Sequence, residues 1–215
     1  SAYYPPAVGE GTVMEFNSAL ERGGAVYSEN APFVATAAKF IGNLAGSNGF
    51  TGEGGAVFLA HPASVTTSAM GHSSRIAQFM ASQFRLNQAG SRGGAVAIAD
   101  ASPLLTNCAF TENKSDASGG GGGAVAVFWQ VPLAANPSVP AHSSAPRFVH
   151  TTFTGNQSSV AANIHAAVLT TPWLINSIFS DGLVRPASPT LVGPRPLHGC
   201  LLAAPDAITS PLESS

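Results

Sequence analysis

The stretch from Gly93-Gly94-Ala95-Val96 to Phe110-Thr111-Glu112-Asn113 decides the fold, because both of its ends recur along the chain at fixed spacing. Gly23-Gly24-Ala25-Val26 leads to Phe40-Ile41-Gly42-Asn43, and the step from first glycine to phenylalanine is 17 positions in both units. Two further units start at Gly54-Gly55-Ala56-Val57 and Gly122-Gly123-Ala124-Val125. They reach Phe84-Arg85-Leu86-Asn87 and Phe153-Thr154-Gly155-Asn156 after 30 and 31 positions, so they carry insertions of 13 and 14 residues. A fifth, worn unit has Ala162-Asn163-Ile164 in place of the glycines and ends at Phe179-Ser180-Asp181-Gly182, again 17 positions on. Before the first unit, Met14-Glu15-Phe16-Asn17 keeps only its asparagine in register.

Aligned on Phe40, Phe84, Phe110, Phe153 and Phe179, the units form ladders. Two positions earlier stand Ala38, Ser82, Cys108, Thr151 and Ser177, all small. Five positions earlier come Ala35, Phe79, Leu105, Phe148 and Leu174. Three positions later come Asn43, Asn87, Asn113 and Asn156, with Gly182 in the last unit. A set that repeats once per 26 or more residues, with alternating inward and outward positions, suits a coil of short strands stacked on copies of itself. The Gly-Gly pairs and prolines break helices, and no 3.6-residue apolar stripe crosses a unit, which excludes a helical solenoid. The expected fold is therefore all-β: a right-handed parallel β-helix of about five coils over residues 12–182, with two long loop insertions on one side. Residues 1–11 read as an extended lead-in and 183–215 as a tail whose prolines forbid continuous strand or helix. The phenylalanines would form a column inside the coil. The asparagines would turn a corner through stacked amides, and the Gly-Gly pair would serve positive φ or close backbone approach.

The alternation of Gly-Gly-Ala-Val with Phe-x-x-Asn resembles the repeats of the chlamydial polymorphic outer-membrane proteins, which also occur in large surface proteins of other organisms. That resemblance spans about residues 12–182. It implies a pectin-lyase-like β-helix acting as a passenger-like segment of an adhesin or surface protein, although no membrane-anchoring barrel follows here.

Composition narrows the function. Hydrophobic residues make up 45% of the 215, enough for one elongated core, while only 9% are charged against about 25% in ordinary soluble domains. A surface of Ser, Thr, Asn, Gly and Ala fits an extracellular or cell-surface protein, or a subunit within an assembly. A net charge of −2 and nine Lys and Arg residues give no basic patch for a phosphate backbone, which argues against nucleic acid as a partner. No run of 18 apolar residues suggests a transmembrane segment. The chain begins Ser1-Ala2-Tyr3 without methionine, as expected of a processed chain or a piece of a longer one.

The two insertions follow Val57-Phe58-Leu59 and Val127-Phe128-Trp129, so both should leave the same corner two coils apart and lie on one side. Each carries a His-Ser-Ser triplet, Gly71-His72-Ser73-Ser74-Arg75 and Ala141-His142-Ser143-Ser144-Ala145. Together with an aromatic platform of Phe128 and Trp129, residues His72, Ser73, Arg75, His142 and Ser143 make a candidate surface for other protein subunits or surface glycans. As a nucleophilic pair the triplets lack a Gly-x-Ser-x-Gly elbow. An enzyme of the polysaccharide lyase or hydrolase kind is the alternative that the fold suggests. It needs clustered carboxylates, whereas Asp100, Asp116, Asp181, Asp206 and the glutamates are scattered. No cofactor is implied, and six dispersed histidines with two cysteines 92 residues apart argue against zinc. Cys108 occupies the small inward site and reads as a buried thiol. A disulfide to Cys200 is the other reading, if the tail folds back along the helix. The sequons at Asn113 and Asn156 fall on ladder asparagines and so read as chance. The expectation is a non-catalytic structural and adhesive module.

Overall fold

The computed structural model describes residues 7–46, 51–60, 77–116, 121–128, 144–167, 170–180, 185–186 and 197–202. Every strand pair in it is parallel, and the strands form four sheets that run along the length of a β-helix. The valine sheet holds Val26–Glu29, Val57–Ala60, Val96–Ala99, Val125–Phe128 and Ile164–Ala166, each of which follows a Gly-Gly pair or its replacement. A second sheet runs through Val34–Thr36, Gln78–Met80, Leu104–Thr106, Arg147–Val149 and Trp173–Ile175. The phenylalanine sheet runs through Lys39–Ile41, Gln83–Arg85, Ala109–Thr111, Thr152–Thr154 and Ile178–Phe179. The fourth consists of two-residue strands such as Leu44–Ala45 and Gln88–Ala89 just after the asparagine corner.

The registers reproduce the sequence ladders. Phe40, Phe84, Phe110, Phe153 and Phe179 are mutual partners, and their rings stack face to face with centroids 4.8, 4.6, 5.0 and 4.7 Å apart. That is the spacing of adjacent strands, so one ring per coil fills the interior without a gap. Phe79 and Phe148 meet Phe84 and Phe153 edge-on from the second sheet, at 5.5 and 5.8 Å. Burying each column ring removes roughly 150 Å² from water, about 4 kcal/mol per coil at roughly 25 cal/mol per Å².

The asparagine corner is a continuous amide ladder. Asn43 Nδ2 donates to Asn87 Oδ1, Asn87 Nδ2 to Asn113 Oδ1, and Asn113 Nδ2 to Asn156 Oδ1, each at 2.9 Å. The same carbonyl oxygens accept the backbone N–H of the preceding asparagine, and each amide also reaches a backbone carbonyl such as Phe84 O. Asn17 joins from below. At the far end Asn156 donates to Asn163, the middle residue of the worn Ala-Asn-Ile unit, a rung that alignment on the phenylalanines does not find. Asn113 and Asn156 are buried with their amides engaged, so neither can carry glycan in the folded chain.

In three of the four pairs the two glycines do different jobs. Gly54 and Gly93 hold φ of 68°, where an L side chain is strained. Gly55 instead packs so closely that a Cβ would lie 2.1 Å from Gly94 O of the next coil. The other corners need no glycine. Ala37, Ala81, Asn107, His150 and Asn176 all sit near φ 50° between the second and phenylalanine sheets. Their N–H groups bond onward to the next coil, as Ala37 N does to Met80 O at 2.8 Å. One left-handed residue per corner turns the chain without losing the inter-coil hydrogen bond.

The solenoid extends beyond the motifs at both ends. Ala7–Val8 pairs with Val34 and Ala35, inside the segment expected to be a lead-in, and Val13–Glu15 pairs with Lys39–Ile41. In the expected tail, Arg185–Pro186, Leu197–His198 and Leu201–Leu202 add strands to three of the sheets. Seven strands therefore stand in the phenylalanine sheet among the described residues, five of them from the motif-bearing coils and one added at each end. Short strands of two residues tolerate the prolines that would have broken longer ones.

This extra coil also decides between the two readings of Cys108, in favour of the buried thiol and against the disulfide to Cys200. Cys200 follows Ser177 in the same small inward column that holds Cys108, three strands away across the pairings of Ala109, Thr152, Ile178 and Leu201. Three coils amount to roughly 14 Å at about 4.8 Å each, beyond the reach of a disulfide. Both thiols are free, and burial pushes that of Cys108 up to about 11.

Candidate functional site

The valine sheet is where the repeat departs from simple alternation. Val57, Val96, Val125 and Ile164 point into the helix, yet the outward residues Phe58, Ala97, Ala126 and Phe128 are buried as well. Strand runs such as Val-Phe-Leu-Ala and Val-Ala-Ile-Ala, apolar without interruption, are what a sheet covered on both faces requires. Across the register the outer row reads Tyr27, Phe58, Ala97, Ala126 and His165, with Glu29, Ala60, Ala99 and Phe128 beside it.

A second, smaller apolar cluster thus lies outside the solenoid. The alanines leave a shallow trough in which the Phe58 and Phe128 rings approach to 6.5 Å between centroids. Over them lie two guanidiniums: Arg22 is 4.7 Å from the Phe58 centroid and Arg92 is 4.4 Å from that of Phe128. Both arginines immediately precede a Gly-Gly pair, as does Glu53, and bridges join Arg22 to Glu53 and Glu53 to Arg92. The Glu53 carboxylate sits between them, its Oε2 3.2 Å from Arg22 Nε and its Oε1 3.3 Å from Arg92 Nε. A planar guanidinium can stack on a ring while its edge meets a carboxylate, which lysine cannot do. Each stacked cation contributes about 0.5–2 kcal/mol, more as water is excluded.

Among the described residues this row ends at Tyr27. Tyr27 stacks on Phe58 at 5.4 Å and 3°, remains 48% exposed, and donates its hydroxyl to the Glu29 carboxylate. That bond, burial and the Glu29 charge raise the phenol above its ordinary value. Beside it Glu21, Arg22, Thr51 and Glu53 line a cavity of about 210 Å³. The backbone ties its two sides together, Glu53 N donating to Glu21 O at 2.8 Å. At the opposite end His165 is buried with its Nδ1 unpartnered, and burial, then the Arg92 charge, hold its imidazole below the ordinary value.

The expected site residues fare unevenly. His72, Ser73, Arg75, Trp129, His142 and Ser143 lie outside the described residues. Phe128 is only 5% exposed beneath Arg92, so its ring packs rather than offering a platform. The shared exit is clear: Ala60 pairs with Ala99 and Ala99 with Phe128, so the strands that precede the two insertions end in the same row, two coils apart. Sequence reasoning missed the Arg22–Glu53–Arg92 row and Tyr27. The signals were present in the charged residue before three of the four Gly-Gly pairs and in non-alternating strands such as Val57–Ala60 and Val96–Ala99.

Among the described residues no group of three or more His, Cys, Asp or Glu could hold a metal ion, and no helix is long and apolar enough to cross a membrane. No family model, curated protein or solved structure matches the chain.

Proposed function

We propose that the chain is a structural and binding module of an extracellular or cell-surface protein, with a repeat of the polymorphic outer-membrane-protein type, engaging other protein subunits or surface glycans. One observation carries this reading. The positions that break the repeat, namely the two insertion exits and the outer aromatic and arginine row, gather on the valine sheet, while the columns elsewhere are spent on holding coils together. A scaffold of stacked coils from which both insertions leave at one face is suited to presenting them there.

A polysaccharide-active enzyme is the second reading, favoured by the two carboxylates of Glu21 and Glu53 in one cavity. Against it, both oxygens of Glu53 face arginines, and a carboxylate so clamped serves as an anchor rather than a group offered to substrate. The test replaces residues 61–77 and 129–146 each by the Asp100-Ala101-Ser102-Pro103 connection of the uninserted coil, which restores the 17-residue unit. The parent should bind at least one of immobilised cellulose, chitin, mannan or pectate, or associate with itself in light scattering, without releasing reducing ends. The shortened chain should fold but lose at least one such interaction. Retention of every parental interaction by the shortened chain, no interaction by either, or turnover of any polymer would overturn the reading.

A further inference from the structure

We infer that Tyr27, with the cavity beside it, is a subsite for one neutral sugar ring, distinct from the two insertions. The inference rests on the binding-module reading and names its ligand class. Tyr27 is an aromatic face held ready: Phe58 supports it from behind in parallel, and the hydroxyl bond to Glu29 fixes its rotation. Such a ring, half exposed and costing little entropy to order, suits the apolar C–H face of a pyranose. Arg22 links ring and cavity, since it stacks on Phe58 and also lines the cavity with Glu21, Thr51 and Glu53. With Glu53 held between the arginines, the Glu21 carboxylate offers acceptors, the Thr51 hydroxyl both donates and accepts, and the Arg22 guanidinium donates, the mixture that hydroxyl groups on a sugar satisfy in both directions.

Size and charge narrow the ligand. A cavity of about 210 Å³ is smaller than the roughly 300–1,000 Å³ that holds a drug-sized molecule, so it takes one ring of a longer chain. The neighbouring carboxylates Glu21, Glu29 and Glu53 outnumber the guanidiniums of Arg22 and Arg92, leaving the patch slightly negative. Uronic acids are repelled, and a neutral saccharide is not.

The experiment titrates the full chain with hexasaccharides of glucose, mannose, xylose, galactose and N-acetylglucosamine, and with hexagalacturonate, by isothermal calorimetry. At least one neutral hexasaccharide should bind, and hexagalacturonate should bind at least tenfold more weakly. Tyr27→Ala should lose at least tenfold in affinity, Tyr27→Phe should recover most of it, and Thr51→Val should weaken it severalfold, with unfolding midpoints confirming intact coils. The shortened-insertion chain should bind the hexasaccharide as the parent does. No neutral saccharide binding below about 10 mM, preference for the acidic one, or indifference to Tyr27→Ala would each overturn the inference. Loss of saccharide binding on shortening the insertions, with Tyr27→Ala unaffected, would sink this subsite while leaving the binding-module reading standing.

Discussion

Phe110→Ala tests whether the ring column holds the coils together. Phe110 is fully buried and touches a ring on each side, Phe84 at 4.6 Å and Phe153 at 5.0 Å. Losing its transfer free energy accounts for about 4 kcal/mol at roughly 25 cal/mol per Å², an upper figure because the unfolded chain already shelters some surface. Two lost stacking contacts add about 0.5–1.5 kcal/mol each. Partial collapse of the coils around the hole offsets part of the cavity term, so the expected loss is about 3–5 kcal/mol, as for other buried phenylalanines. With a urea slope of about 3 kcal/mol per M, the unfolding midpoint should fall by roughly 1–1.7 M. The comparison is Phe16→Ala, whose ring is 76% exposed on the first coil and should shift the midpoint far less. An unchanged slope would confirm that the solenoid still unfolds as one unit, whereas a shallower one would show that neighbouring coils had uncoupled. A Phe110→Ala loss below about 1 kcal/mol, or no larger than that of Phe16→Ala, would refute the column as the source of cohesion.

Three further outcomes are expected. Asn113→Ala should cost about 2–4 kcal/mol by urea denaturation, because it strands the Asn87 amide and backbone N–H, which both donate to Asn113 Oδ1; a loss below about 1 kcal/mol would mean the ladder contributes little. His165 is held below its ordinary value of 6.5 by burial and by Arg92, so the unfolded chain takes up its proton first as acid is added. Stability should therefore fall as pH drops below about 6.5, and His165→Gln should flatten that part of the curve; an unaltered slope would show that His165 is not the group responsible. Non-reducing peptide mapping of oxidised native protein should recover Cys108 unlinked to Cys200, and a thiol reagent at pH 8 should label Cys200 well before Cys108; a Cys108–Cys200 peptide would contradict the coil count.

Much of the fold is legible in one dimension because a parallel β-helix is nearly a one-dimensional object. Each coil contacts only its neighbours, so whatever fills the interior must recur at the same place in every unit. Phe40 to Phe179 and Asn43 to Asn156 recur in the sequence for that reason, and the register places them as partners. The same logic separates what the motifs missed. Ala7–Val8 and Leu201–Leu202 pair through backbone groups, which any residue can supply, so those coils carry neither Gly-Gly-Ala-Val nor Phe-x-x-Asn, although Cys200 keeps the small inward position. Asn163 completes the amide ladder from a different place in its unit, because the corner needs an amide at a point in space rather than at a position in the alignment.

The sequence by itself determined the repeat, the parallel coil and the two insertions, since period and inward chemistry are local properties of each unit. Only the tertiary structure decided the outer face of the valine sheet. Arg22, Glu53 and Arg92 lie 31 and 39 residues apart along the chain, and become one charged row over two phenylalanines only when the coils stack. Tyr27 likewise gains its orientation from Phe58, a residue of the next coil. Interactions between coils on the outer surface are not required of every unit. They leave no period to read, and emerge only when strands about 4.8 Å apart bring distant residues side by side.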